Sequence, residues 1–315
     1  MKKLIVSTSP HIHTKTTTAR IMLDVIIALS PAAVASVVLF GLRALLVLAI
    51  TTGAAVLAEF LFNLAVGKKQ TVGDLSAAVT GLILALTLPV SIPLWQAVLG
   101  SVFAIVAVKC LFGGIGCNFA NPAVTARVFL ILAFATAAVG APTVFAEPEL
   151  VGGATPLEIL KGGSVDGLPS LFDMMLGNRP GAMGETCFPA IALGAVYLVV
   201  RKVITWEIPV IFVGSTFLLT LALTGSLELA LASIFAGGLL FGAVFMATDY
   251  VTSPVNRGGR MVFALGCGII TALIRVFGAY PGGVSFAILI MNILSPYIER
   301  LTARRPLGGV KNVKR

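Results

Sequence analysis

The sequence predicts an all-α integral membrane protein, and three observations lead to this fold class. Hydrophobic residues make up 58% of the 315-residue chain, charged residues make up 11%, and the mean hydropathy is +1.03. These values lie far outside the average of soluble globular proteins. The apolar runs are long enough to cross hydrocarbon as helices, which takes about 20 residues. The runs also lack the alternating pattern of a membrane β-barrel, so a helical bundle is predicted.

About ten transmembrane helices are predicted. The N-terminal segment 1–20 is polar and lacks the charged-then-apolar layout of a cleaved signal peptide, so the first span is expected to remain in the mature protein. The predicted spans lie near residues 21–41, 44–66, 74–90, 93–111, 123–145, 186–200, 208–224, 228–248, 261–278 and 283–298.

The positively charged residues predict how the multi-pass chain is oriented in the membrane. Lys and Arg are retained in short cytoplasmic connections, whereas acidic residues carry little information. If both termini are cytoplasmic, most of the 22 Lys and Arg residues fall on the inner side, including those of the basic tail 299–315. The polar segment 146–185 then faces outward. The net charge of +9 reflects this bias and indicates anionic lipid, not nucleic acid, as a partner.

The chain divides into two transmembrane halves, residues 21–145 and 186–298, on either side of the outer segment. Each half has five predicted spans, so a repeat of the two must be inverted across the membrane. Gly and Pro breaks follow spans three, four, eight and nine, and such breaks must be buried in protein or line a cavity. Two interpretations stay open, namely inverted five-helix halves with broken helices, or a chance distribution of Gly and Pro.

Several kinds of redox site are excluded by the sequence. GGIGCNFAN lacks the third glycine of a dinucleotide fingerprint, so no NADH site is expected. The four cysteines form no CxxC pair, which argues against an iron–sulfur cluster. No histidine lies in a predicted span, which excludes bis-histidyl haem, and no other metal site is predicted. A complete active site is therefore not expected on this chain alone.

Two asparagines mark the start of the fifth predicted span, in GGIGCNFANPAVTAR. Asn121 precedes Pro122, which is the arrangement of a helix N-cap followed by proline at the first helical position. The amides of Asn118 and Asn121 could also bind a planar ring that is rich in amide groups. Capping and ligand binding both remain open for these residues.

Three acidic residues lie within the predicted spans or at their ends. Asp24 is placed in the first turn of its helix, where the helix dipole favours a carboxylate. Glu59 lies deeper, with Asn63 on the same helix face, and an acid at that depth suggests either a cation or proton step or a structural hydrogen bond. Asp249 closes span eight at its break and belongs to the same group of candidates.

The segment GGATPLEIL, residues 152–160, lies in the predicted outer segment. Thr155, Pro156 and Glu158 form a capping box with proline at the first helical position, which predicts a helix N-terminus. The free N–H groups of such a terminus also favour a phosphate, and the two preceding glycines let the backbone approach a ligand closely. The segment therefore fits both a plain helix start and a phosphate ester on Thr155.

At this segment the chain resembles the NqrB/RnfD family of flavin-carrying membrane proteins. GGATPLE is similar to the Ser/Thr-Gly-Ala-Thr motif, whose last threonine carries FMN through a phosphoester bond. The motif maps onto Gly152, Gly153, Ala154 and Thr155, and Gly152 stands where the family often has Ser or Thr. The resemblance covers nearly all of the chain, including the ten-span layout, the GGIGCNFANPA segment and the TDYVTSP segment. The length suits the Rnf members of the family best.

This resemblance implies a component of an ion-translocating electron-transport complex in a bacterial cytoplasmic (inner) membrane. Such a complex passes electrons between ferredoxin and NAD+ and couples this to Na+ or H+ transport. It implies covalent FMN on Thr155 and noncovalent riboflavin near Asn118, Asn121 and Asp249. A cation path is expected at the buried acids, Glu59 and Asp24.

The resemblance also implies partners. These are the iron–sulfur membrane subunits, an outer-face FMN subunit, an NADH-binding subunit and a flavin transferase. Two alternatives stay open, namely the NqrB component of the Na+-translocating NADH:quinone reductase and a flavin-free inverted-repeat solute transporter or channel.

Overall fold

The computed structural model describes residues 17–134, 157, 169–278 and 282–303. Twelve α-helices lie in these ranges, and no β-strand does. They are α1 Thr18–Phe40, α2 Leu42–Val66, α3 Ser76–Thr87, α4 Leu94–Val102, α5 Pro122–Ala133, α6 Leu171–Leu176, α7 Phe188–Val200, α8 Glu207–Thr224, α9 Leu227–Phe235, α10 Leu239–Phe241, α11 Arg257–Phe277 and α12 Val284–Thr302. The all-α prediction is confirmed for this part of the chain.

Every predicted span contains a described helix, but the helices differ in length. Five are long and apolar enough to cross a membrane, namely α1, α2, α8, α11 and α12, and a bent pair of shorter helices makes a possible sixth. The other apolar helices have 10–17 residues, among them α3, α5 and α7. The described residues therefore contain five or six candidate membrane spans, judged by the length and composition of their helices.

The helices pack in a pattern that repeats between the two parts of the chain. In the first part α2 packs against α3 and α4, and in the second part α8 packs against α9 and α11. The two parts meet where α1 contacts α7 and where α5 contacts α12. Large apolar side chains such as Val34, Leu42 and Val200 stay exposed on the outside of this bundle. Exposed apolar side chains in such numbers are expected where lipid covers a surface.

The eighth predicted span, 228–248, contains two helical segments, whereas a single helix was expected. It consists of α9 and of a second segment, Leu239–Met246, bent by 60° relative to α9. The break lies at Gly237–Gly238, in the middle of the predicted span, whereas the sequence analysis places a break at its TDYVTSP end. Gly237 has a φ of +63°, which is costly for other residues, and a Cβ on Gly238 would collide with the carboxylate of Glu185.

Two helices change from α to π geometry near their C-terminal ends. α4 continues as a π-helix over Phe103–Cys110, and α10 continues as a π-helix over Gly242–Met246. The N–H group of Leu111 bonds to the carbonyl of Val106, and that of Ala247 bonds to the carbonyl of Gly242. π-Helical turns leave α-type hydrogen bonds unmade and are frequent at functional sites. Both π-helices end beside the same cavity.

Candidate functional site

A cavity lies between the two parts of the chain, and we call it the Asn121 cavity. About 780 Å³ of empty space lies within it when the part open to solvent is counted, and about 100 Å³ has room for the centre of a water-sized sphere. Most of its wall is apolar, from side chains such as Val79, Ile83 and Phe245. Its polar side chains are Ser76, Thr80, Lys109, Asn118, Asn121, Thr248, Asp249 and Tyr250. A mostly apolar wall with a few convergent polar groups is the usual form of a cofactor site.

The structure brings together the three residues that the resemblance assigned to riboflavin. Asn118 and Asn121 come from the segment before α5, and Asp249 follows the second π-helix, yet all three line the Asn121 cavity. Asn118 Oδ1 is buried and accepts no hydrogen bond within the described part of the chain. A buried acceptor without a donor is costly, so a ligand that carries an N–H group fits here.

Asn121 is a helix cap, as one of the two interpretations expected. Its Oδ1 accepts hydrogen bonds from the N–H groups of Ala123 and Val124, at 3.0 and 3.3 Å. Its Nδ2 donates to the carbonyl of Met246 at 3.2 Å, at the end of the second π-helix. The side chain thus joins α5 to the second part of the chain at the cavity wall. Capping occupies the amide oxygen of Asn121, so Asn118 has the freer amide.

Asp249 has its own hydrogen bonds at the cavity. Its Oδ2 accepts from Thr252 Oγ1 at 3.0 Å, and its Oδ1 accepts from the N–H group of Val251 at 3.5 Å. These bonds fix the carboxylate at the wall rather than in the middle of the space.

Glu59 and Lys109 form a buried ion pair beside the cavity. Their side chains are 2% and 3% exposed, and Lys109 Nζ lies 2.9 Å from Glu59 Oε1. Thr71 Oγ1 donates to the same carboxylate oxygen at 2.7 Å, and Lys109 Nζ also donates to Ser76 Oγ at 2.6 Å. Asn63 Nδ2 donates to Thr71 Oγ1, which confirms that Asn63 and Glu59 share a helix face. We call this set of side chains the Glu59 network.

The sequence analysis identifies Glu59 but misses its partner. Lys109 lies near the end of the fourth predicted span, 93–111, and has no assigned role there. In the structure the π-helix turns its ammonium group into the protein. A lysine near the end of an otherwise apolar run is the available signal. Glu59 Oε2 has no hydrogen-bond partner among the described residues.

The expectation that Asp24 lies in the first turn of its helix is wrong. α1 begins at Thr18, after the N-cap Thr17, so Asp24 lies in the second turn. The carboxylate is instead paired across the bundle, because it accepts hydrogen bonds from Tyr197 at 3.0 Å and from Arg201 at 3.1 Å. The helix dipole is therefore not what accounts for this acid.

Three arginines and one glutamate form a second charged group, which we call the arginine cluster. Arg127 Nη2 lies 3.4 Å from Glu185 Oε1, and Arg179 Nη2 donates to the backbone carbonyl of Glu185 at 2.8 Å. Arg275 donates to the carbonyls of Ser233 and Ala236, at the end of α9. Burial lowers the pKa of Arg179 to about 10, which leaves its guanidinium charged at neutral pH.

Sequence reasoning misses this cluster. Arg127 belongs to the fifth predicted span, 123–145, but its guanidinium group reaches Glu185, at the end of the predicted outer segment. Arg275 interrupts an apolar helix, and two adjacent glycines interrupt the predicted span eight. A charge within an apolar run and a Gly-Gly pair are the signals, but neither indicates which helices meet.

The flavin-attachment residues of the sequence prediction lie outside the described residues. These are Gly152, Gly153, Ala154 and Thr155. The nearest described residue is Leu157, which is buried and packs with Met174, Ala232 and Ala236. The chain that carries Thr155 is therefore anchored two residues later at the end of α9.

The comparisons with known proteins show the family of this chain. Residues 5–308 match the model of the NQR2, RnfD, RnfE family. The D subunit of the Na+-translocating ferredoxin:NAD+ oxidoreductase complex of Acetobacterium woodii is 43% identical, over 99% of this chain and 97% of the relative. The D subunit of the proton-translocating ferredoxin:NAD+ oxidoreductase complex of Clostridium ljungdahlii is 39% identical, over 94% of each chain. The D subunit of the ion-translocating oxidoreductase complex of Methanosarcina acetivorans is 34% identical, over 99% of this chain and all of the relative.

Proposed function

The chain belongs to the NQR2, RnfD, RnfE family, and from this membership we propose that it is the D subunit of an ion-translocating ferredoxin:NAD+ oxidoreductase complex. Relatives with this name match it over nearly their whole length, which favours the Rnf assignment over a quinone reductase component or a solute transporter. The other subunits supply the NADH site and the iron–sulfur centres. This chain carries electrons within the membrane and couples their passage to ion movement.

The Asn121 cavity is the observation that carries the proposal of an electron carrier. Polar residues from both parts of the chain meet there, and Asn118 Oδ1 lacks a donor among the described residues. The isoalloxazine ring of riboflavin has apolar faces and an edge of N–H and C=O groups, which suits these walls. A bound flavin supplies one- and two-electron transfer. Asn118 would accept from the ring edge, while the apolar side chains exclude water.

Lys109 connects the cavity to the Glu59 network. Lys109 and Ser76 line the cavity, and the ammonium group is shared between Ser76 Oγ and Glu59 Oε1. A negative charge in the cavity attracts this ammonium group and weakens its hold on Glu59. The carboxylate, whose Oε2 has no partner within the described residues, is then open to Na+ or a proton. Cation binding at Glu59 thus becomes linked to reduction in the cavity.

A second flavin, FMN, is proposed as an ester of Thr155. The motif GGAT and the capping box that follows support this assignment. The flavin transferase that forms the ester is then a partner. In the proposed orientation residues 146–185 and the flavin lie on the outer face of the inner membrane, and both termini lie in the cytoplasm.

The fold itself is proposed as about ten spans in two inverted halves. Two observations support this arrangement. The packing of α2 with α3 and α4 is repeated by that of α8 with α9 and α11, which are the equivalent spans. The contacts between α1 and α7 and between α5 and α12 each join a span to its own equivalent. A cofactor cavity between the halves is the usual position in such folds.

Flavin analysis of the purified chain tests the proposed function. The chain is expressed with the flavin transferase, and the flavins are separated into a protein-bound and an extractable fraction. We expect covalent FMN and extractable riboflavin in the wild type. Asn118→Leu should lose the extractable fraction and keep the covalent one, because the substitution removes the ring-edge acceptor. Leu132→Ala, at an exposed site on α5, is the matched control and should keep both.

Capture of the partner subunits gives the second measurement. A tagged chain expressed with the complete complex should retain an NADH-binding and an iron–sulfur subunit after purification. A chain that carries no flavin and captures none of these subunits would contradict the proposal and favour a solute transporter.

A further inference from the structure

The arginine cluster has an excess of positive charge inside the protein. Arg179 and Arg275 are 2% and 6% exposed, and the side chain of Arg127 is 15% exposed. Within the described part of the chain, Glu185 is the carboxylate that pairs with this group, and it contacts Arg127 directly. Buried charges in a membrane protein are expensive unless opposite charges compensate them. Three guanidinium groups around one carboxylate therefore leave positive charge for an anion to neutralise.

The same side chains have unused hydrogen-bond donors. Arg127 Nη1, Arg179 Nε and Arg275 Nε are buried, and none has an acceptor among the described residues. A buried N–H group without an acceptor costs free energy, and such groups are rare in folded proteins. Guanidinium donors match the oxygens of phosphates and carboxylates in geometry as well as charge. The orphan donors therefore indicate an oxyanion rather than a neutral ligand.

The cluster lies next to the chain that carries Thr155. Arg275 Nη2 is 3.6 Å, and Leu157 Cδ2 is 3.3 Å, from the position that a Cβ of Gly237 would occupy. The two side chains thus meet at this glycine. Thr155 precedes Leu157 by two residues, and two residues of chain span at most about 7 Å. A phosphate on Thr155 can reach the region of the cluster without a long linker.

We propose that the arginine cluster binds a phosphate ester, namely the phosphodiester that links FMN to Thr155. Arg179 and Arg275 neutralise its charge with donors that have no acceptor among the described residues, and Glu185 holds Arg127 and Arg179 in place. This inference rests on the proposed function for its ligand, while the excess of buried charge is observed among the described residues. The headgroup of an anionic phospholipid presents the same chemistry, so the experiment must separate the two sources.

A thermal stability cycle tests the proposal on the full-length chain in detergent. Each protein is expressed with the transferase, and peptide mass measures the FMN on Thr155. The Tm of the flavin-loaded protein is compared with the Tm of the same protein carrying Thr155→Ala, which removes the ester. Arg179→Met and Arg127→Met each remove one positive charge from the cluster. Arg275 is left unchanged, because its guanidinium group also bonds to the carbonyls at the end of α9. Arg257→Met, at an exposed arginine paired with Glu207, is the matched control.

We expect loading to raise the Tm of the wild type and of Arg257→Met. Most of this rise should be lost in Arg179→Met and Arg127→Met, although both still carry FMN. An undiminished rise in both variants would overturn the proposal, and the proposed function would stand. Absence of FMN from the wild-type peptide would overturn the proposed function together with this inference.

Two further experiments test whether another anion binds the cluster. Phosphatidylglycerol is added to the delipidated Thr155→Ala protein, with and without Arg179→Met. An Arg179-dependent rise in Tm here, with no rise on flavin loading, would assign the cluster to a lipid headgroup and overturn the flavin assignment. Glu158, next to Leu157 in the sequence, is tested as Glu158→Gln. If Glu158→Gln lowers the Tm of the Thr155→Ala protein and Arg179→Met lowers it no further, the carboxylate and not the phosphate is the partner of the cluster.

Discussion

In the proposed arrangement of two inverted halves, the Glu59 network and the arginine cluster occupy equivalent places but differ in their balance of charge. Lys109, near the end of span four, donates to Ser76 just after a break at Leu75, whose φ is +63°. Arg275, near the end of span nine, donates to the carbonyl of Ala236 beside the break at Gly237, whose φ is also +63°. In each case a buried cation donates a hydrogen bond to the chain beside a residue of positive φ.

The difference lies in the counter-charge. In the first half α2 supplies Glu59 to the cation, which makes a closed pair. In the second half the equivalent helix, α8, has no acid after its first residue. Among the described residues, the Glu59 network neutralises its cation from within the chain, whereas the arginine cluster keeps positive charge that the proposed phosphate would neutralise. We therefore expect substitutions in the two regions to have separate effects, and the following predictions test that separation.

Thr155→Ala should have the largest effect. The effect should be limited to the covalent flavin and the arginine cluster. The substitution removes the hydroxyl that forms the ester, so all covalent FMN should be lost, while the Glu59 network and the extractable flavin remain. Intact mass and peptide mapping of proteins expressed with the transferase measure this loss. Helix capping alone predicts only about 1 kcal/mol of destabilisation. A Thr155→Ala protein that still carries FMN would contradict the assignment.

Lys109→Met should be the most destabilising change on the Glu59 side. It leaves a buried carboxylate without its cation, and breaking such a pair costs about 3–5 kcal/mol. Adding Glu59→Gln to Lys109→Met removes the uncompensated charge and should restore much of the stability. Denaturation in detergent measures the free energy of unfolding of both variants. If the double variant is no more stable than Lys109→Met, the two side chains are not a closed pair.

Glu59→Gln by itself should change coupling rather than flavin content. The amide keeps a hydrogen-bond acceptor for Thr71 and Lys109 but cannot bind a cation by charge. We expect full incorporation of both flavins and fewer ions moved per electron in vesicles that contain the complete complex. Asp74→Asn is the control and should leave the ratio of ions to electrons unchanged. Asp74 is more exposed than Glu59 and accepts a hydrogen bond from the N–H group of Ser76. An unchanged ratio in Glu59→Gln would make this acid structural.

The sequence predicts the helices, but it does not predict which side chains contact one another. Composition and apolar runs predict a helix in every one of the ten segments, because long apolar helices follow from the absence of water in lipid. Asn121 before Pro122 predicts the cap that is observed, since capping is local in sequence. The resemblance to the family predicts that Asn118, Asn121 and Asp249 lie close together, and all three line the Asn121 cavity.

The missed features all depend on contacts that are distant in sequence. Glu59 and Lys109 are 50 residues apart, and the pairing of Arg127 with Glu185 crosses the outer segment. Hydropathy treats Lys109 and Arg275 as exceptions in an apolar run and cannot say which carboxylate or carbonyl they meet. The kink at Gly237–Gly238 escapes prediction because a Gly-Gly pair is common in membrane helices, and only packing against Glu185 shows that it is required.

Asn121→Ala should have the smallest effect of these variants, and it tests whether the two halves are joined at the cavity. Loss of the N-cap of α5 costs about 1 kcal/mol, and loss of the bond to Met246 adds a similar amount. Asn121→Ser keeps a neutral cap acceptor but loses the amide that donates to Met246, so the difference between the Ser and Ala variants measures the contribution of the cap. Denaturation in detergent should rank the wild type above Asn121→Ser and Asn121→Ser above Asn121→Ala. Equal stabilities of Asn121→Ser and the wild type would mean that the Met246 bond contributes nothing to holding the halves together.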